Sequence, residues 1–106
     1  TDDMFIINGV NIWPSAIENV LMQNPLIGNE YRIIVDKKAS GDSLTVVVES
    51  LRKLSTEEKQ MLTKVLESQL REVIIVRPRV EIVDPGTLPR FDGKAKRVDI
   101  RVEEGI

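Results

Sequence analysis

One stretch of the 106-residue chain gathers four cations around a glycine-lysine step. In Leu88-Pro89-Arg90-Phe91-Asp92-Gly93-Lys94-Ala95-Lys96-Arg97, the cations are Arg90, Lys94, Lys96 and Arg97. The chemistry such a loop offers is anion recognition: guanidinium forks match carboxylate and phosphate oxygens in pairs, and lysine adds a compact positive charge. It is not a Walker loop, because the spaced glycines are missing. On charge and spacing alone it reads as ordinary solvated surface rather than as a site. The chain has no cysteine and no histidine. That excludes disulfides, thiolate chemistry and the commonest general base and metal ligand.

Three other features invite a chemical reading, and each has a plain one beside it. Asp2 and Asp3 are adjacent acids with no third ligand nearby in sequence, so they read as solvated charges rather than a metal site. Asn8-Gly9 could let backbone approach a ligand closely, and a hairpin turn explains it equally well. Trp13 before Pro14 reads as a staple that fixes the helix entry to the core.

The elements that must position these residues follow from periodicity. Met4 to Ile7 and Val10 to Ile12 flank Asn8-Gly9 and predict a tight hairpin. Pro14 opens a helix with Ile17, Val20 and Leu21 on one face, ended by Asn24-Pro25. Tyr31 to Val35 and Leu44 to Val48 predict two strands joined by a mobile loop over Asp36 to Ser43. Ser55 with Glu58 predicts a capping box, and the helical period runs from there to about Glu72. Val73 to Val76 fits a short strand or the end of the connection, Arg79 to Val83 a strand, and Lys96 to Val102 an edge strand with a frayed tail. The expected fold is α+β: an N-terminal β-hairpin, then a ferredoxin-like sheet with two helices packed on one face.

Composition sets bounds on the rest. With 42% hydrophobic and 30% charged residues and a net charge of −2, the chain has an ordinary globular balance, and neither sign of charge recruits nucleic acid. A stacking platform for RNA would need surface aromatics, and there are only Phe5, Trp13, Tyr31 and Phe91. No apolar run approaches the roughly 20 residues that span a bilayer, so no membrane partner is expected and the default compartment is cytoplasmic.

Both ends of the chain carry a resemblance. Thr1-Asp2-Asp3-Met4, then Ile6-Ile7-Asn8-Gly9-Val10-Asn11-Ile12-Trp13-Pro14 with Ile17-Glu18, and far downstream Leu88 through Val98, together resemble phenylacetate-CoA ligases of the adenylate-forming superfamily. The resemblance is to their mobile C-terminal domain alone, so residues 1–106 would be a lid domain cut from a larger protein. The sequence departs from the family at Asn8, where arginine is frequent, and at Phe91-Asp92, where serine and glutamate are usual.

What the resemblance implies is specific. The absent N-terminal domain would bind ATP with magnesium and the aryl acid, and the small domain would adopt one pose for adenylation and another for thioester formation with coenzyme A. Asp2 would be the hinge. Lys94 would be the catalytic residue of adenylation, reaching the carboxylate and α-phosphate, with Arg90, Lys96 and Arg97 as its supporting basic loop. Asn8, Gly9 and Val10 would form the hairpin lining the coenzyme A tunnel. The parent would serve phenylacetate catabolism, its partners being its own N-terminal domain, the small-molecule substrates and, in one arrangement, a second copy of itself. No metal is expected on this domain, and alone it would bind no cofactor stably and be inactive. A different class stays open: a free-standing ferredoxin-like regulatory module that binds a small anionic ligand.

Overall fold

The computed structural model describes residues 3–90 and 97–104. Strands β1 (Phe5–Ile7) and β2 (Val10–Ile12) form the expected hairpin, with Phe5 opposite Ile12 and Ile7 opposite Val10. Asn8 and Gly9 both have positive φ, 45° and 81°, the geometry of a two-residue turn whose twist matches its strands. Alternation then sends Phe5, Ile7 and Ile12 into the core and leaves Ile6 outside.

Helix α1 (Pro14–Met22) buries Ile17 and Leu21, four residues apart on one face. Proline suits its first turn because the missing N–H has no intrahelical partner there. The chain turns away where Asn24 Oδ1 accepts the Leu26 N–H at 2.9 Å. Trp13 stands at the N-cap, makes no capping hydrogen bond and is 47% exposed. It does not staple the helix entry; Ile12 and Ile17 on either side fill that part of the core.

Strands β3 (Ile27–Lys37) and β4 (Ser43–Ser50) are antiparallel and longer than their apolar runs suggest. Tyr31, Ile33 and Val35 on β3 and Leu44, Val46 and Val48 on β4 face the core. The register shifts between Ile27 and Tyr31, so β3 reaches Ile27 through an irregularity that the sequence pattern does not announce.

Helix α2 (Thr56–Ile74) begins with the expected capping box: Ser55 Oγ accepts from Glu58 N at 3.1 Å and Glu58 Oε1 from Ser55 N at 2.9 Å. Val73 and Ile74 belong to this helix rather than to a strand, because Ile74 completes the buried stripe of Leu62, Leu66 and Leu70. The helix stops at Ile75, whose backbone has φ 77° and ψ −45°.

After α2, β5 (Arg79–Val83) runs parallel to β4, and β6 (Val98–Val102) runs parallel to β3, giving the mixed order β5-β4-β3-β6. Val80 enters its strand with its N–H held by Glu67 Oε2 of α2 at 2.9 Å. The edge strand is where the alternation placed it, and the first residue after it is held: Glu103 N donates to Lys37 O at 2.8 Å. Both helices pack together over one face of the sheet, and one apolar cluster joins them to it and to the hairpin. The result is the expected α+β class.

Candidate functional site

Two places on this frame carry the residues singled out by sequence, and β4 links them. At its N-terminal end lies the hairpin tip. Asn8 Oδ1 accepts from Asp42 N at 2.9 Å and Asn8 Nδ2 donates to Asp42 O at 3.1 Å, so the side-chain amide binds both backbone groups of Asp42. The Asn8 N–H donates to Asp42 Oδ2 at 2.8 Å. Lys37 Nζ donates to that same oxygen at 2.9 Å and to Ile6 O. The Lys37 ammonium first, then the Asn8 N–H, holds the Asp42 carboxyl below the usual range. The connection from Asp36 to Ser43, expected to be mobile, is thus tied to the hairpin by four hydrogen bonds within described residues.

Gly9 sits at the turn with open space around it: an added Cβ would meet nothing within 4 Å. Its φ, not crowding, is what asks for glycine here. Val10 is half-buried beside Ile7 in β2.

At the other end of β4, Glu49 is buried, a carboxylate at the close of a valine run. Burial of an unpaired carboxylate is costly, so the question is what it binds. Its Oε1 accepts from Gly86 N at 3.0 Å and Arg90 Nη2 at 3.0 Å; its Oε2 accepts from Leu88 N at 2.7 Å and Arg90 Nη1 at 2.7 Å. This is a two-pronged guanidinium pair completed by two backbone donors. The Arg90 fork first, and then the two backbone N–H groups, overcome burial and bring the Glu49 pKa down to about 2. Gly86, at φ 83°, makes the turn that aims its N–H at the carboxylate.

Arg97 is anchored separately. Its carbonyl accepts from Ile33 N at 2.7 Å, and its guanidinium lies 4.4 Å from the centroid of the Tyr31 ring. Glu18 and Glu30 face it at 3.8 and 4.0 Å. The Tyr31 hydroxyl donates to Glu18, and burial, then that bond, pushes the phenol up to about 12, so it keeps its proton. Glu30 also lies close enough to Arg90 to raise its pKa, after the larger effect of Glu49. Glu30, Glu49 and Arg90 line one shallow, open depression with Gly28, Asn29 and Pro85.

Of the residues chosen from sequence, Asn8, Gly9 and Val10 come together at the hairpin tip, while Arg90 and Arg97 flank the basic loop. Asp2, Lys94 and Lys96 lie outside the described residues. Sequence reading missed Glu49, Asp42, Lys37 and the Tyr31–Glu18–Glu30 group. The one available signal was a carboxylate ending an apolar strand, Val46-Val47-Val48-Glu49, where a buried pattern admits a charge only with a partner. Among the described residues, no group of three or more His, Cys, Asp or Glu could hold a metal ion.

Comparison with known proteins places this geometry in a family. AMP-binding enzyme C-terminal domains match over residues 9–101. A phenylacetate-coenzyme A ligase of Aromatoleum evansii is 37% identical over 92% of this chain and 23% of its own length. The chain spans about a quarter of the length of the curated relatives it matches. The crystal structure of a domain of phenylacetate-coenzyme A ligase from Bacteroides vulgatus superposes with a TM-score of 0.86 at 38% identity, covering 97% of this chain and 96% of that one. A 2-hydroxyisobutyryl-CoA ligase in complex with 2-HIB-AMP and CoA, in its thioesterification state, gives a TM-score of 0.86 at 33% identity over 96% of this chain and 22% of that one. The same ligase is known in a postadenylation state and in an open conformation. The chain belongs to the family of AMP-binding enzyme C-terminal domains, and it is similar in particular to those of phenylacetate-CoA ligases.

Proposed function

We propose that residues 1–106 are the mobile C-terminal domain of an ATP-dependent phenylacetate, or near aryl-acid, CoA ligase of the cytoplasm. Adenylation joins the acid to AMP with release of pyrophosphate, and coenzyme A then displaces AMP to give the thioester. Magnesium would enter with ATP on the N-terminal domain. Lys94 is the adenylation lysine. Its part is electrostatic: a fixed cation beside the carboxylate and α-phosphate stabilises charge that develops in the transition state. The hairpin tip at Asn8, Gly9 and Val10 serves the second step, where the absence of a Cβ at Gly9 leaves room for the pantetheine arm. Asp2 is the hinge between the two poses.

The observation that carries this reading is the placement of the two motifs. Asp42, which holds the hairpin tip, and Glu49, which holds the start of the lysine loop, are seven residues apart on one extended segment. At about 3.3 Å per residue that is roughly 23 Å, so the hairpin tip and the Leu88 to Arg90 lead into the lysine loop stand at opposite ends of the β3–β4 pair. A domain that presents one end and then the other to a shared active site fits a two-step enzyme, and the several states captured for the related ligase agree with it. The small-anion module is less well supported, because Arg90 and Arg97 already face carboxylates of their own chain.

The test is ATP–pyrophosphate exchange driven by phenylacetate in the full-length parent, with and without Lys94→Ala. Exchange is expected to fall by about 10²–10³-fold while thioester formation from preformed acyl-adenylate persists. Unchanged exchange returns Lys94 to solvated surface and favours the anion-binding module.

A further inference from the structure

Nothing in the two half-reactions as read above uses Glu49, yet it is the one buried charged side chain among the described residues. An apolar residue would close β4 with less desolvation. What a carboxylate supplies instead is direction. Its four acceptor contacts fix the Gly86 and Leu88 backbones and the Arg90 side chain against the end of β4, across 37 to 41 residues of sequence. Seven residues after Arg90 the chain is fixed again on the neighbouring strand, where Arg97 O accepts from Ile33 N and the guanidinium covers Tyr31.

From these contacts we infer that Glu49 is a positioning residue for Lys94: it acts through Arg90 and the 86–88 backbone to hold one end of the span whose other end is held at Arg97. The inference rests on the assignment of Lys94 to adenylation. Lys94 is four residues from Arg90 and three from Arg97. An extended chain covers at most about 3.5 Å per residue, so the Arg97 anchor alone confines the Lys94 α-carbon only to a radius of roughly 10 Å. Adenylation has a far narrower tolerance, since a displacement of about 1 Å can slow a positioned reaction by ~10²-fold. The second anchor, four residues away at Arg90, narrows that range from the other side. Thioester formation draws on the hairpin at the other end of β4 and does not depend on it.

The experiment measures both half-reactions in the full-length parent: phenylacetate-driven ATP–pyrophosphate exchange, and thioester formation from preformed phenylacetyl-adenylate. The proteins are the natural sequence, Glu49→Gln, Lys94→Ala and the double variant. Glu49→Gln is expected to slow exchange by about 10- to 10²-fold and to leave the thioester step within about twofold. In the Lys94→Ala background Glu49→Gln should slow exchange no further, because a residue that acts only through the lysine has nothing left to act on. Equal loss in both half-reactions, or an undiminished further loss in the double variant, overturns the inference and leaves Lys94 in place. Intact exchange in Lys94→Ala overturns the assignment of the lysine itself, and the inference with it. If Glu49→Gln does not fold, Arg90→Met takes its place. It removes the solvent-facing half of the pair, and an absence of selective loss there refutes the role equally.

Discussion

Lowering the pH should remove the Glu49 clamp, and the structure gives both the window and the size of the effect. The carboxyl drops from an ordinary 4.5 to about 2 in the folded chain. A depressed carboxylate contributes stability that is complete above its unfolded pKa and is lost as the pH falls through its folded one. The window is therefore pH 4.5 down to about 2. At about 1.4 kcal/mol per unit the full shift would be worth roughly 3 kcal/mol. Arg90 is 56% exposed, however, and solvent screens its half of the pair. About 1.5 kcal/mol is the better figure, which for a domain of this size is roughly 6–12 °C in Tm. Asp42, Glu58 and Asp84 are also held below the usual range by cations beside them, so the natural chain loses stability in acid whatever Glu49 does. The informative quantity is the difference between the natural chain and Glu49→Gln. Urea unfolding followed by circular dichroism at pH 7, 5, 4, 3 and 2.5 should show a gap of about 1.5 kcal/mol at pH 7 that narrows steadily below pH 4.5. A gap of the same size at pH 7 and pH 2.5 would mean that the charge of Glu49 does not hold the loop.

Two further substitutions probe the backbone. Ile75, β-branched and 73% exposed, ends α2 at φ 77°; Ile75→Gly should stabilise the chain by about 1 kcal/mol, and a lower urea midpoint would show that its side chain matters more than its strain. Gly9 has φ 81° and nothing within 4 Å of an added Cβ; Gly9→Ala should destabilise by about 1 kcal/mol through backbone alone, and an unchanged midpoint would refute that account.

The parts of the fold legible in the sequence are those decided within a few residues. Asn8-Gly9 announces its turn, Ser55 and Glu58 announce their cap, and the alternation of Arg79 to Val83 gives that strand to the residue. The failures share a cause. Trp13 reads as core by its size, but Ile12 and Ile17 already occupy the space beneath the helix entry. Val73 reads as strand by its branching, but Ile74 is needed at the fourth place of the α2 stripe, and packing outranks propensity. The loop from Asp36 to Ser43 reads as mobile because it is a polar stretch between two strands; what ties it down is Asn8, 34 positions away. Glu49 is the clearest case, since its donors lie 37 to 41 residues downstream and no window along the chain contains both.

The same device recurs at both ends of the β3–β4 pair, and this bears on how a two-step enzyme could use the domain. Asp42, just before β4, fastens the hairpin tip and Glu49, near the end of β4, fastens the start of the lysine loop, each carboxylate binding backbone N–H and a cation. Neither motif can therefore take the other's place by bending a loop, because either would have to break four hydrogen bonds, some of them to charged groups. On the proposed reading, the exchange of lysine loop for hairpin at one active site has to be carried by rotation of the domain as a body. The motion would then fall on the proposed hinge around Asp2. Stiffening that segment should stall the enzyme between its half-reactions. Loosening Asp42 or Glu49 should weaken one half-reaction and spare the other.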